Sequence, residues 1–156
     1  MKNSANSRLN LPALCELIRK ETVLSTESMT EVLKKVDWQE ILSDAQPFIQ
    51  FDPDTYKRNL VLDLPHAQVL ILCWRPGQGS KVHDHGSSNC GLVVLAGQAT
   101  ETVYSSVSGM PLAIDERTAS SMTVVPGSFV HKVENLHHED LITLHIYSPP
   151  LVRITN

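Results

Sequence analysis

The stretch Gly77-Gln-Gly-Ser-Lys-Val-His83-Asp-His85-Gly-Ser-Ser-Asn-Cys90-Gly-Leu-Val-Val-Leu-Ala-Gly97 decides how this chain is read. His83 and His85 stand two residues apart. On a strand, residues i and i+2 face the same side, so both imidazoles would aim at one point. Taken alone, the pair reads equally well as two surface or core histidines. A third imidazole, His131, lies five residues after Pro126 in Pro126-Gly127-Ser-Phe-Val-His131-Lys-Val-Glu-Asn135. Three such groups could hold one divalent metal. Imidazole suits iron, zinc, copper and nickel, so the donor type alone does not name the metal.

Around this stretch the texture is that of short strands. Leu60–Asp63, Ala67–Trp74, Gly91–Leu95, Ala99–Tyr104, Met122–Val125 and Leu141–Tyr147 are rich in β-branched and apolar residues. Pro76-Gly77-Gln-Gly79, Ser108-Gly109-Met-Pro111 and Pro126-Gly127 punctuate them as turns. Close spacing with no helix between strands points to an antiparallel barrel or jelly roll. The first third differs. Leu11, Leu14, Cys15, Leu17 and Ile18 recur at helical spacing, as do Val32, Leu33 and Val36 in a segment from about Ser28. Trp38, Ile41 and Leu42 extend the pattern as a third short helix, with Pro47 as its stop. The expected fold is mainly β: a single domain, residues 1–156, with a helical part (1–47) packed against a β-barrel (48–156).

Bulk properties narrow the function. The chain has 156 residues, 42% of them apolar, enough for one real core. Thirteen basic and seventeen acidic residues give a formal charge of −4, with no basic face for a nucleic-acid backbone. No apolar run approaches the roughly 18 residues of a membrane span. Met1-Lys-Asn-Ser-Ala-Asn-Ser-Arg8 lacks the apolar core of a signal peptide, so a cytoplasmic location is expected. Three widely spaced cysteines argue against a disulfide framework. Cys15 and Cys73 lie in apolar patterns and read as packing residues, as do Trp38 and Trp74. His66, His137 and His138 fall in expected loops and read as solvated.

The histidine spacing is similar to the two cupin motifs, G-x5-H-x-H-x4-E-x6-G and P-x-G-x2-H-x3-N. Gly77, His83, His85 and Gly97 fit the first, and Pro126, His131 and Asn135 fit the second. Gly127 comes one place early, and Cys90 occupies the position usual for Glu. Without that carboxylate, three neutral imidazoles leave the metal charge uncompensated. Such a site favours an anionic exogenous ligand such as a thiolate, and it leaves positions open for O2.

The chain further resembles the cysteine dioxygenases from about Tyr56 to Pro150. The strongest stretches are Tyr56-Lys-Arg58-Asn-Leu60, Ile71-Leu-Cys-Trp74, Gly79 to His85, His131 to Asn135 and Leu144-His145-Ile-Tyr147-Ser-Pro-Pro150. The resemblance implies a cupin-type jelly-roll barrel with two or three N-terminal helices. It implies one Fe(2+) per chain on His83, His85 and His131, with L-cysteine and O2 converted to cysteine sulfinic acid. It places the substrate carboxylate on Arg58, with Tyr56 beside it. It places a relay on Thr143, His145 and Tyr147, where Thr143 departs from the family's serine. It also implies a thioether between Cys90 and Tyr147, and a cis proline bond in Ser148-Pro149-Pro150.

Residue chemistry bears on each of these. Arg58 offers a planar fork that binds a carboxylate in two hydrogen bonds, although a surface salt bridge is the commoner fate of an arginine. Thr143, His145 and Tyr147 alternate along one strand and so share a face, while Leu144 and Ile146 take the other. Periodicity does not say which face meets water. Arg58 favours cysteine over 3-mercaptopropionate, the substrate of a sister thiol dioxygenase. A metal-binding cupin that senses a ligand without chemistry is the reading of another class, and the histidines alone would also suit a zinc isomerase or hydrolase. The expected partners are a small thiol and O2, with no nucleic acid or membrane; a monomer is the default.

Overall fold

A computed structural model describes residues 8–151; most of the N-terminal segment read above for a signal peptide lies outside them. Three helices come first: α1 (Leu11–Lys20), α2 (Thr26–Leu33) and α3 (Trp38–Asp44). Each starts on a side-chain cap that accepts a backbone N–H: Asn10 from Ala13, Ser25 from Ser28 and Asp37 from Glu40. α3 ends at Asp44, and Pro47 sits beyond it in a 3-10 turn, Gln46–Phe48. Eight strands follow: β1 (Lys57–Asp63), β2 (Gln68–Trp74), β3 (Asn89–Ala96), β4 (Ala99–Tyr104), β5 (Pro111–Arg117), β6 (Met122–Val125), β7 (Val130–Glu134) and β8 (Leu141–Ser148).

The strands form two antiparallel sheets, one ordered β1-β2-β8-β3-β6 and one ordered β5-β4-β7. The jelly-roll expectation holds, with one correction: hydrogen bonding does not close the sheets into a continuous barrel. The apolar run Gln68–Trp74 is explained by burial on both faces. Val69, Ile71 and Cys73 pack with the helices, together with Val93, Leu95, Leu144 and Ile146. Leu70, Leu72 and Trp74 point between the sheets, together with Cys90, Leu92, Val133 and Tyr147. The large sheet is thus the middle of three layers.

Two strands have no counterpart in the sequence reading. β5 is an edge strand exposed along almost its whole length, so it carries no apolar alternation. β7 is short and alternates the buried residues His131 and Val133 with Lys132 and Glu134. β8 ends at a cis Ser148–Pro149 bond, in line with the expectation. His66, expected in solvent, is half-buried and bonds the carbonyl of Ile18 at 2.8 Å, tying the β1–β2 turn to α1. Among the described residues no helix is long and apolar enough to cross a membrane.

Candidate metal centre

The two histidine segments are pinned to each other through the backbone. Residues 77–85 run antiparallel to residues 135–127. Gly77 N–H donates to the Asn135 carbonyl (2.7 Å) and Ser80 N–H to that of Val133 (2.8 Å). His83 and His131 exchange both backbone bonds (2.9 and 3.0 Å), and His85 N–H donates to Gly127 (2.8 Å). The segment around His83 is therefore not the regular strand expected. It is a run of isolated bridges that still turns both rings inward. Gly127 fits one place early because its Cα lies against backbone. A Cβ there would collide with the Gly86 carbonyl oxygen. The close approach brings the Gly127 carbonyl to His85. Gly97, with φ +83°, makes the tight β3–β4 turn in a conformation that side-chain-bearing residues rarely adopt.

His83, His85 and His131 converge. Their ring centroids lie 4.8–5.0 Å apart, and their candidate donor atoms fall within 4.8 Å of one another. His83 donates Nδ1–H to the Lys81 carbonyl at 2.7 Å. His131 Nδ1 lies 2.6 Å from Glu101 Oε2. In both rings the other nitrogen, Nε2, is left free. Burial holds His83 below the usual imidazole pKa, and it holds His85 down to about 3, with the neighbouring histidines adding to the effect. Neutral imidazoles with free lone pairs are the form that binds a metal. His85 supplies the direct sign of a missing partner: its Nδ1 is fully buried with no hydrogen bond. A buried ring nitrogen left in that state is costly, and a metal bound at that nitrogen would satisfy it. The residues fit a bound metal.

The rings line a cavity of about 20 Å³, room for about one water molecule, shared with Tyr56, Leu72, Trp74 and Tyr147. The polar stripe of β8 faces this interior. Trp74 Nε1–H donates to Thr143 Oγ1 (3.0 Å), Thr143 Oγ1 contacts His145 Nε2 (2.8 Å), and His145 Nδ1 contacts Tyr147 Oη (3.2 Å). The indole can only donate. Thr143 therefore accepts from it, and its own O–H is free to donate to His145 Nε2; in that arrangement His145 Nδ1–H donates to Tyr147. The phenol proton then points away from the relay. Burial keeps His145 neutral, well below the usual pKa, and raises Tyr147 well above its own.

Cys90 stands directly opposite Tyr147 across the β3–β8 ladder, and burial pushes its thiol up to about 12. Arg58 lies at the edge of this interior. It is exposed at the rim, its guanidinium carbon 5.9 Å from the Tyr147 ring centroid, and it forms no ion pair among the described residues. Tyr56 lies within the site, stacked on Trp74 at 4.2 Å. Trp74 is therefore a wall of the site as well as a packing residue. Glu101 and its partner Arg117 were not singled out from the sequence. The signal was there: Glu101 shares a strand face with Ala99 and Val103, an acid on an apolar stripe.

A family model described as cysteine dioxygenase type I matches residues 4–156. Cysteine dioxygenase type 1 of Danio rerio is 38% identical over 117 residues, which is 69% of this chain and 58% of that protein. The Homo sapiens protein of the same name is 37% identical over 112 residues, 66% of this chain and 56% of its own length. The chain thus spans under three-fifths of these relatives. A double-stranded β-helix protein of Klebsiella pneumoniae superposes with a TM-score of 0.59 at 19% identity, covering 67% of this chain and 86% of that one. A protein of Thermus thermophilus does so with 0.60 at 19%, covering 68% and 94%. These two likenesses bear on the fold alone.

Proposed function

The chain belongs to the cysteine dioxygenase type I family, and on that premise we propose that it is a thiol dioxygenase, oxidising L-cysteine with O2 to cysteine sulfinic acid at one ferrous iron on His83, His85 and His131. The observation that carries this reading is the convergence of three imidazoles, one with an orphaned nitrogen, on a cavity that also receives Tyr147. Bound iron would supply the positions at which thiolate and O2 meet and the electron transfer that activates O2.

The chain's own residues would do the rest. Arg58, unpaired at the rim, would take the substrate carboxylate and fix the thiol's direction of entry. The stacked rings of Tyr56 and Trp74 would close one wall against water. Tyr147, kept protonated, would donate its free O–H to the thiolate or to the developing sulfinate oxygen. Cys90, directly across the ladder, would form a thioether with Tyr147 that holds that phenol still, and their pairing in register supports this. The intact mass would fall by about two hydrogens on turnover, and Cys90→Ala would abolish the fall.

O2 uptake by the Fe(II)-reconstituted protein with L-cysteine, 3-mercaptopropionate and cysteamine tests the proposal. Uptake fastest with cysteine supports it. Preference for 3-mercaptopropionate would refute the role of Arg58, and no uptake with any thiol would leave a non-catalytic metal-binding cupin.

A further inference from the structure

Glu101 is a carboxylate buried almost completely, at 1% exposed, in a sheet of three strands. Burial of an isolated carboxylate is strongly unfavourable, so its partners carry the argument. Oε1 accepts from Arg117 Nε at 2.9 Å and lies 2.8 Å from Nη2 of the same guanidinium. Oε2 takes the Nδ1 side of His131 at 2.6 Å. The register explains the alignment. Ala99 pairs with Arg117 across β4–β5, and Val103 pairs with His131 across β4–β7. Glu101 lies two residues from each on the same face. Arg117, Glu101 and His131 thus form one row across the whole small sheet, ending at the metal centre.

The other two histidines have nothing comparable. His83 donates to a neutral carbonyl and the His85 Nδ1 has no partner. We propose that Glu101 is a positioning residue for the metal centre. It fixes His131 as the Nδ1–H tautomer, aims Nε2 into the cavity and places one negative charge beside an all-imidazole donor set, with Arg117 holding the carboxylate ionised and in place. The charge absent where Cys90 stands is thereby supplied from behind a ligand, and no coordination position is occupied by it. This rests on the reading of the three histidines as a metal centre.

The test compares wild type, Glu101→Gln and Glu101→Asp. Anaerobic competition against a chromophoric chelator gives Fe(II) affinity, and mediated redox titration gives the Fe(III)/Fe(II) potential. Glu101→Gln is expected to lose about 10–100-fold in Fe(II) affinity. Its potential should move positive, because a lost negative charge weakens Fe(III) binding more than Fe(II) binding. Glu101→Asp should return the potential toward wild type. Unchanged affinity and potential in Glu101→Gln, with or without a lower melting temperature, would overturn the proposal and leave an ion pair that only ties strands. A second measurement needs no variant. In wild type loaded with Zn(II) and labelled with nitrogen-15, His131 Nδ1 should carry a proton, and a bare Nδ1 would overturn the proposal. Wild type that bound neither metal would refute the metal-centre reading itself, before any variant is compared.

Discussion

Gly127→Ala tests how the two histidine segments are held together. The added Cβ would collide with the Gly86 carbonyl oxygen and lie 2.9 Å from both the Gly86 carbonyl carbon and the Ser88 carbonyl oxygen. All three are backbone atoms, so no rotamer change relieves the contact. Residues 126–128 must retreat, and the 2.8 Å bond from His85 N–H to the Gly127 carbonyl is lost with them. Overpacking of this kind costs about 1–3 kcal/mol, and the hydrogen bond adds about 1 kcal/mol. For a chain of this size the sum corresponds to a fall in melting temperature of roughly 5–15 °C. His85 would move with its anchor, so Fe(II) affinity should fall by about 10–100-fold, the usual cost of disturbing a ligand's support. Thermal melts of the metal-free protein and chelator competition of the loaded protein read the two effects. A melting temperature within about 1 °C of wild type, with unchanged Fe(II) affinity, would refute the reasoning.

Three further outcomes are expected. In the metal-free protein, burial holds His83, His85 and His145 below the ordinary imidazole pKa, with His85 at about 3. The unfolded chain therefore binds more protons below about pH 6.5, and stability present above that value is lost as pH falls toward the folded pKa values, at up to about 1.4 kcal/mol per pH unit for each group. Urea denaturation that is flat between about pH 7 and pH 5 would contradict this. Trp74→Phe keeps a ring beside Tyr56 but removes the donor to Thr143. It should lower kcat about fivefold, worth about 1 kcal/mol, and leave KM for cysteine near wild type; a change confined to KM would show that the indole acts on binding. Arg58→Ala should raise KM for cysteine about tenfold, the low end for a charged hydrogen bond because the guanidinium is exposed, and an unchanged KM would remove Arg58 from the site.

The legible parts of this protein are those where side-chain pattern and burial agree. The helical spacing of Leu11, Leu14 and Ile18 marks a face that does pack on the sheet. Thr143, His145 and Tyr147 share a face by simple alternation, but the strand is buried on both sides, so alternation could not say which side meets the site. β5 escaped notice because exposed residues obey no period. Alternation predicts a regular strand for the His83–His85 pair, and only the bridges to residues 127–135 show what turns the rings inward. Glu101 was hidden for a different reason. It lies 30 residues from His131, and only the β4–β7 register brings the two together.

The proposed reaction would place both atoms of O2 on a thiol sulfur at an iron held by three imidazoles. Turnover of the Fe(II)-loaded protein with L-cysteine under oxygen-18 gas in ordinary water tests it most directly, with the product weighed by mass spectrometry. The expected product is cysteine sulfinate carrying two oxygen-18 atoms, formed only while iron is bound. Sulfinate with oxygen drawn from water, or cysteine recovered unchanged, would contradict it.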